Sequence, residues 1–343
     1  FALRTAFCSA TQDISLDAYR IESASADLQG ALAATYQTGY RLAMIWAGAG
    51  AFALAAFFQS APSGAYDQTG WTWAYLIMAA SISVGLATTL LSPPPNASDE
   101  KSKLRHLEEM RHHVHAFILR HPSLPRPIAK VIGWFGFVCV RPIADFFYRY
   151  RWHALAILLL IATYRISDVV MGVMSNPFYR DMGFTKEEVA AVSKIFGVVM
   201  TLVGTFIGGI VVLKIGILKT LFIGALLSAG TNLLFSALAG IGHSLPFLVF
   251  TVSADNLSGG LASAAFIAYL SGLTNVQYSA TQYAVFSSIM LILPKFLAGF
   301  SGVLVESLGY SNFFILTAAL GVPVLVLIPI IGYLSRHRAP DKN

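Results

Sequence analysis

Nine apolar runs of membrane-spanning length constrain the fold of this chain more than any other feature. A helix needs about 20 mostly apolar residues to cross the hydrocarbon core of a bilayer. The runs lie near residues 1–20, 33–58, 72–92, 152–176, 189–213, 218–240, 246–273, 281–306 and 311–334. With 12% charged residues and a mean hydropathy of +0.66, the 343-residue chain has too little polar surface for an ordinary soluble globule. The sequence therefore predicts an all-α polytopic membrane protein.

One long polar segment, residues 93–151, fixes the orientation of the chain. It carries ten of the 23 basic residues: Lys101, Lys103, Arg105, Arg111, Arg120, Arg126, Lys130, Arg141, Arg149 and Arg151. Because short cytoplasmic loops are enriched in lysine and arginine, we predict that this segment lies in the cytoplasm. The other connections then alternate consistently, and only Arg180 and Lys186 are basic on the outer side.

The basic segment also contains one amphipathic pattern. Ile143, Phe146, Phe147 and Tyr150 recur at helical spacing, which predicts a short helix in the cytoplasmic headgroup region. The apolar run 131–140 is too short to span a membrane. We expect the rest of the segment to be a solvated linker, as runs of charge usually are.

The order of these parts predicts the domain organisation. Three helices, a long cytoplasmic loop and six further helices form the pattern of a six-plus-six transporter without its first three helices. Residues 1–92 would then be the remainder of the N-terminal half, 93–151 the loop, and 152–343 the C-terminal half. A nine-helix protein complete in itself is the alternative.

The first cluster of charges inside an apolar run lies in residues 1–20. At 100° per residue, Asp13, Asp17 and Arg20 fall on one helix face, so two carboxylates share one arginine. Arg41, which opens the next helix at the same depth, is a candidate second partner. Ionisable residues within spanning helices are expensive and mark candidate functional sites. The group is interpreted either as a structural or gating ion network, or as a direct participant in proton or substrate handling.

The second cluster lies on the fourth and fifth apolar runs. Tyr164, Arg165 and Asp168 share one helix, and counting along the helices places Lys194 at a depth comparable to that of Asp168. We expect a salt bridge between Asp168 and Lys194 in the outer half of the membrane. Such a pair could take part in transport or could only close an outer gate.

The third cluster is the pair Asp255 and Asn256, about ten residues into its apolar run and hence near the midplane. Burial of a carboxyl there favours its protonated form, and reversible protonation is what proton coupling requires. Lys295 is a candidate counter-charge or a ligand for an anionic substrate. The other interpretation of Asp255 is an uncharged acid that hydrogen-bonds a neighbouring helix. The following Gly259 and Gly260 permit close packing or a local break.

Other motifs indicate no enzyme. Two cysteines, Cys8 and Cys139, are too few for a disulfide framework. The histidines at 112, 113 and 115 lie in a basic linker without nearby cysteines, so we expect no metal site and no cofactor. Gly204 and Gly208 form a small-xxx-small pair typical of helix packing. Nothing in the sequence suggests a membrane hydrolase, an ATP-driven pump or a nucleic-acid partner.

Several motifs together resemble the AmpG-type muropeptide permeases of the major facilitator superfamily. The resemblance covers nearly the whole chain, and its most specific segments contain Gln12-Asp13 and Asp255-Asn256. It extends over Phe7–Ile14, Asp17-Ala18, Gly30-Ala31, Gly39–Leu42, Asp145–Phe147, Tyr164, Asp168, Gly183-Phe184, Lys194, Gly259-Gly260, Phe266, Asn275 and Ser279–Gln282. Asp255 stands where the family pattern leads us to expect glutamate.

The resemblance implies a major facilitator fold of which this chain covers helices four to twelve. It also implies proton-driven import of N-acetylglucosaminyl-anhydromuramyl peptides across the bacterial inner membrane for peptidoglycan recycling, by alternating access. Acetyl-CoA or a drug-like amphipath is the alternative substrate. We expect the partners to be a sugar-peptide, protons and the lipid bilayer, and the protein to be a monomer.

A cavity for a sugar-peptide needs hydrogen-bonding side chains and a few cations. On that basis the candidate substrate-binding residues are Gln12, Tyr40, Arg41, Tyr164, Asn256, Asn275 and Lys295. The candidates for proton coupling or gating are Asp13, Asp17, Arg20, Asp168, Lys194 and Asp255.

Overall fold

The described chain is almost entirely helical. The computed structural model describes residues 2–25, 28–59, 68–94 and 100–336; of residues 100–103, 194, 195 and 336 it describes the backbone only. No strand occurs among these residues, which confirms the all-α prediction. The helices are α1 Ala2–Glu22, α2 Gln29–Ile45, α3 Ala51–Phe57, α4 Gln68–Leu91, α5 Glu100–Arg120, α6 Arg126–Phe135, α7 Arg141–Tyr150, α8 His153–Thr163, α9 Ile166–Asp181, α10 Lys186–Ala191, α11 Val198–Ile215, α12 Ile217–Ile241, α13 Leu245–Leu273, α14 Ser279–Ala298, α15 Ser301–Ala319 and α16 Val322–Arg336.

Within the described ranges, eight helical runs are long and apolar enough to cross a membrane. They are Gln29–Phe57, Gln68–Leu91, Arg126–Tyr150, His153–Asp181, Val198–Ile215, Ile217–Ile241, Val276–Ala298 and Ser301–Ser335. Two predicted runs, 1–20 and 246–273, form the helices α1 and α13 but are not among these eight. These two helices are more polar than the other runs: α1 contains five charged side chains, and α13 contains Asp255, Asn256 and several serines.

The basic segment differs from its prediction, and its apolar run 131–140, predicted to be too short to span a membrane, is part of a helical run of spanning length. Instead of a solvated linker with one short helix, it contains α5 followed by a continuous helical run from Arg126 to Tyr150, in which a π-helical turn joins α6 to α7. The run buries one face, whose members follow helical spacing: Ala129, Gly133, Phe137, Pro142 and Phe146. Because the π turn adds a residue to one helical turn, the buried face continues from α6 into α7.

The described helices divide into two compact units that differ from the predicted domains. One contains residues 1–34 and 96–343, and the other contains residues 35–95. In the second unit α3 packs on α4 so closely that a Cβ at Gly70 would lie 2.4 Å from the Ala55 carbonyl oxygen. In the first unit α1 packs against α14, which groups it with helices that follow it by more than 200 residues.

The closest helix crossing in the first unit joins α11 to α13. A Cβ at Gly204 would lie 2.0 Å from the carbonyl oxygen of Leu257, and a Cβ at Gly208 would lie 2.8 Å from that of Leu261. On the other helix, a Cβ at Gly260 would lie 2.3 Å from the Thr201 carbonyl oxygen. Small residues allow backbones to approach this closely, as predicted for the Gly204–Gly208 pair.

Helical geometry is interrupted at two places in the C-terminal part of the chain. The predicted helix 152–176 is broken between α8 and α9, where Arg165 leaves helical geometry with φ −94° and ψ 5°. Asp168 consequently lies in the first turn of a new helix. Near the C-terminus, Gly309 with φ 74° interrupts α15, at the connection predicted between the last two apolar runs.

Candidate functional site

Two carboxylates lie inside the first unit, on helices α9 and α13. Asp168 accepts a hydrogen bond from the Ser228 hydroxyl, and Asp255 Oδ1 lies 3.1 Å from the Thr231 hydroxyl. Ser228 and Thr231 are one turn apart on α12 and both are buried. One face of α12 therefore provides a hydroxyl partner for each of the two carboxylates, Ser228 for Asp168 and Thr231 for Asp255.

Arg165 supplies the positive charge of this cluster. Its Nη2 lies 3.6 Å from Asp168 Oδ2, and its Nη1 donates a 2.6 Å hydrogen bond to the Ser263 hydroxyl of α13. We call Arg165, Asp168, Ser228, Thr231 and Asp255 the acid cluster. With two acids and one arginine, it carries an excess negative charge unless a proton binds.

The structure gives Asp168 a counter-charge that was not predicted, and the predicted pairing of Asp168 with Lys194 stays a prediction. Asp168 pairs with Arg165, one turn away on its own chain segment, while the side chain of Lys194 lies outside the described part of the chain. Lys295 is exposed, and no ion pair joins it to Asp255 among the described side chains. The adjacent Pro294 is buried, and the step of 100° to the next residue turns Lys295 away from that packed face.

Two predicted substrate-binding residues hold helices together. The Tyr164 hydroxyl donates to the Leu221 carbonyl oxygen at 3.2 Å, and its ring stacks on Phe266 with centroids 4.5 Å apart. Asn256 accepts from the Thr201 hydroxyl at 2.9 Å across the α11–α13 crossing and donates to the Val252 carbonyl oxygen at 2.8 Å. Both side chains have protein partners in this conformation.

A second cluster joins the end of α1 to α13 and α14. The Arg20 side chain is 5% exposed, donates to the Ser271 hydroxyl at 2.8 Å and lies 3.5 Å from Asp17 Oδ1. Its guanidinium also lies over the Tyr283 ring, 5.1 Å from the centroid. We call these contacts the α1 latch.

One further bond and one close crossing accompany this latch. The Ser279 hydroxyl donates to Glu22 Oε1 at 2.5 Å. Where α2 meets α11, a Cβ at Gly30 would lie 2.7 Å from Val212 Cγ1, and a Cβ at Gly209 would lie 2.9 Å from that of Ala34. The two helices thus approach as closely as small residues allow.

The other predicted members of the first charge cluster lie apart from it. Gln12 and Asp13 are exposed on the first half of α1, and Tyr40 is 59% exposed. Tyr40 and Arg41 belong to the unit of residues 35–95, so the pairing of Arg41 with Asp13 or Asp17 stays a prediction.

A third cluster connects α7 to the α13–α14 turn and was not predicted as a site. Arg149 donates to Asp145 Oδ2 at 2.8 Å, to Gln282 Oε1 at 2.9 Å and to the Leu273 carbonyl oxygen at 3.2 Å. Asn275, predicted to bind substrate, donates from its side-chain amide to Asp145 Oδ2 at 3.3 Å and from its backbone amide to Gln282 Oε1 at 2.7 Å. The spacing of Asp145 and Arg149, four residues apart on a helix, was the available signal for this pair.

Comparison with known proteins identifies relatives along almost the whole chain. It is 31% identical over 322 residues to transporter AmpG 4 of Rickettsia felis, which covers 94% of this chain and 69% of that protein. It is 30% identical over 328 residues to the anhydromuropeptide permease of Escherichia coli K12, covering 95% of this chain and 58% of the permease. Transporter AmpG 1 of Rickettsia bellii is 28% identical over 327 residues, which are 95% of this chain and 72% of that protein. No protein-family model matches the chain.

Proposed function

Because the chain belongs to the AmpG family of major facilitator permeases, we propose that it imports anhydromuropeptides, driven by the proton gradient, for peptidoglycan recycling. The name of the Escherichia coli relative supports the substrate, and that relative also suggests the inner membrane as the location. The present chain spans 58% of the length of that permease, so the activity of the whole protein is part of the proposal.

The acid cluster is the observation that carries proton coupling. A carrier driven by protons needs a site where binding of one proton changes the balance of charge between conformations. Asp168 and Asp255 are held by two hydroxyls one turn apart on α12, and Arg165 is the cation that pairs with Asp168, so protonation of one acid removes the excess negative charge. We assign the proton to Asp255, whose partner Thr231 can either donate or accept.

The α1 latch supports alternating access. The charge distribution places the end of α1 and the α13–α14 turn on the cytoplasmic side. Release of substrate into the cytoplasm would require α1 to separate from α13 and α14, and α2 from α11, so the contacts of Arg20 and Glu22 would break. We therefore assign Asp17 and Arg20 to gating and describe this conformation as closed toward the cytoplasm. Residues 1–92 and 152–343 would be the two moving halves.

The exposed polar residues are the better candidates for substrate contacts. Gln12, Tyr40 and Lys295 are exposed, whereas Tyr164, Asn256 and Asn275 already bond to protein atoms. A sugar-peptide offers hydroxyls, amides and carboxylates, which amide, phenol and cationic side chains can bind. We propose the exposed set for recognition and a packing role for the others.

Uptake into cells tests this function directly. Cells that lack their own permease and express the full-length protein should accumulate labelled anhydromuropeptide, and a protonophore should abolish the accumulation. Cells expressing the Asp168→Asn and Asp255→Asn double variant provide the matched control for endogenous uptake. Absence of uptake despite correct membrane insertion would contradict the proposal that anhydromuropeptides are the substrate.

A further inference from the structure

A separate cavity of about 250 Å³ lies among the ends of α8, α12, α13 and α16. Most of its lining is apolar, including Ile157, Leu218, Leu273 and Ile331. The cavity is larger than the ~150 Å³ apolar cavity that holds benzene in an engineered protein. Its position and lining distinguish it from the acid cluster and from the α1 latch, because it shares no residue with either.

One polar group in this cavity lacks a partner. Tyr269 of α13 lines the cavity and is 7% exposed, and its hydroxyl bonds to no atom of the described residues. Buried hydroxyls in native proteins nearly always have a hydrogen-bond partner. An apolar cavity with one buried donor therefore fits a ligand that combines a hydrocarbon chain with a carbonyl oxygen.

Positive charge flanks the same helix ends. Lys219 follows the lining residue Leu218, Arg151 follows the lining residue Tyr150, and both cations are exposed. The charge distribution assigns these ends to the cytoplasmic side, where the leaflet is rich in anionic lipids. Basic pockets between helices on that side bind anionic headgroups.

From these three features we propose that the cavity binds an anionic phospholipid of the cytoplasmic leaflet. One acyl chain occupies the apolar cavity, and the Tyr269 hydroxyl donates to an ester carbonyl of the lipid. Lys219 and Arg151 attract its phosphate. A sugar-peptide does not fit this lining, because the cavity offers few groups to pair with its many hydroxyls and amides.

A lipid bound in the cavity would also stabilise the third cluster, in which Arg149 of α7 bonds to the α13–α14 turn. Leu273 lines the cavity, and its carbonyl oxygen accepts hydrogen bonds from Arg149 at 3.2 Å. Filling the cavity adds packing to the last turn of α13, the turn whose carbonyl oxygen accepts this bond. The site is thus coupled to the contact between α7 and the α13–α14 turn.

Photo-crosslinking tests the proposal. The full-length protein is reconstituted in vesicles of phosphatidylethanolamine and phosphatidylglycerol that contain a trace of phosphatidylglycerol with a diazirine on one acyl chain. The diazirine has to lie near the ester of that chain, since the ester is placed at Tyr269; with the probe at this position we expect crosslinks to the lining residues in 269–273 and 331–335. A Cβ at Gly272 would lie 3.9 Å from Ile217 Cδ1, an ordinary contact, so Gly272→Leu fills the cavity and should lower this labelling at least fivefold.

The matched control is Gly230→Leu on α12, because a Cβ there meets nothing within 4 Å and Gly230 is exposed. Its labelling should equal that of the wild type. Tyr269→Phe keeps the ring and removes the donor, so it should lower labelling by roughly threefold to tenfold. This variant decides the question if Gly272→Leu does not fold.

Three results would overturn the proposal. Equal labelling of Tyr269→Phe and the wild type would exclude the hydroxyl as a ligand group. Equal labelling by a phosphatidylethanolamine probe would exclude selection of an anionic headgroup. Crosslinks spread over exposed helix faces, without enrichment in 269–273 and 331–335, would show that no lipid occupies the cavity.

Discussion

The hydroxyl of Thr231 lies 3.1 Å from Asp255 Oδ1 and 3.0 Å from the carbonyl oxygen of Ser228, so its single proton faces two acceptors. When Asp255 is ionised, the hydroxyl donates to the carboxylate. When Asp255 is protonated, the acid donates to Thr231, which then donates to the Ser228 carbonyl. The orientation of one buried hydroxyl therefore changes with the protonation state of Asp255, on the same turn of α12 that holds Asp168.

Replacing Thr231 tests this relationship. Thr231→Val keeps the shape of the side chain but leaves Asp255 without its hydroxyl partner, which costs about 1 kcal/mol. We expect proton-driven uptake to fall roughly fivefold, and Thr231→Ser, which restores the hydroxyl, to recover most of it. If the rate of uptake by Thr231→Val equals that of the wild type, the Thr231 hydroxyl has no role in transport. Substrate counterflow, measured in the same vesicles, shows whether the variant is folded.

The α1 latch should control access to the cytoplasmic side. Arg20→Ala removes the bond to Ser271 and the contact with Asp17, and hydrogen bonds of a charged group contribute about 1.5–3 kcal/mol each. We expect backbone hydrogen exchange at the end of α1 and in residues 271–275 to accelerate at least tenfold. Arg4→Ala is the control, because Arg4 is exposed on the same helix. Unchanged exchange in Arg20→Ala would show that these contacts do not hold the helices together.

The α11–α13 crossing should be intolerant of added volume. Gly204→Ala places a methyl group where the Leu257 carbonyl oxygen now lies 2.0 Å away, and overpacking of this kind costs about 1–3 kcal/mol. Thermal unfolding of the purified protein should therefore occur at a lower temperature. Gly230→Ala, at an open helical position, should be neutral or stabilising by up to about 1 kcal/mol. Similar midpoints for the two variants would contradict the close crossing.

An acid-sensitive cap lies at the start of α10. The backbone amide of Thr185 donates to Glu188 Oε2 at 2.9 Å, and His243 Nε2 lies 3.2 Å from the same oxygen. These bonds, first the amide and then His243, hold the pKa of Glu188 below its usual range. A lowered pKa in the folded state means that the stabilisation is present above the usual glutamate value of about 4.3 and is lost as the pH falls through the folded-state pKa.

Hydrogen exchange at the Val189 amide, which bonds to the Thr185 carbonyl oxygen at 3.0 Å, reports on this cap. After correction for intrinsic rates, we expect constant protection at neutral pH and a loss of protection as the pH falls below the usual glutamate pKa of about 4.3 and through the lower pKa of the folded state. Glu188→Gln should remove the pH dependence, whereas Glu187→Gln, at the exposed neighbouring position, should retain it. The same pH profile in both variants would assign the transition to another group.

The sequence predicted which residues are unusual better than it predicted their partners. Asp168 and Asp255 stand out because a charge within an apolar run is rare, and Gly204 and Gly208 stand out by their spacing. The partner of Asp168 could not be inferred by matching depths alone. A break at Tyr164–Arg165 brings Arg165 within reach, and nothing in the apolar pattern marks that break.

Hydroxyl partners are still harder to recognise in a sequence. Ser228 and Thr231 occur in an apolar helix where serine and threonine usually bond to their own backbone, so only the packing of α12 on α9 and α13 reveals their role. The basic segment was misjudged for a related reason. Its charges suggested solvation, but its small and aromatic residues form a buried face once the π turn extends the helix.

The central claim is that Asp255 carries the transported proton, and one comparison tests it most directly. In proteoliposomes containing the full-length protein, Asp255→Asn should retain exchange of labelled for unlabelled anhydromuropeptide, because exchange needs no net proton movement. It should lose accumulation driven by an imposed pH gradient. Glu306→Gln, an exposed acid on α15, should retain both activities. Accumulation by Asp255→Asn at the wild-type level would contradict the assignment, and exchange without gradient-driven accumulation would support it.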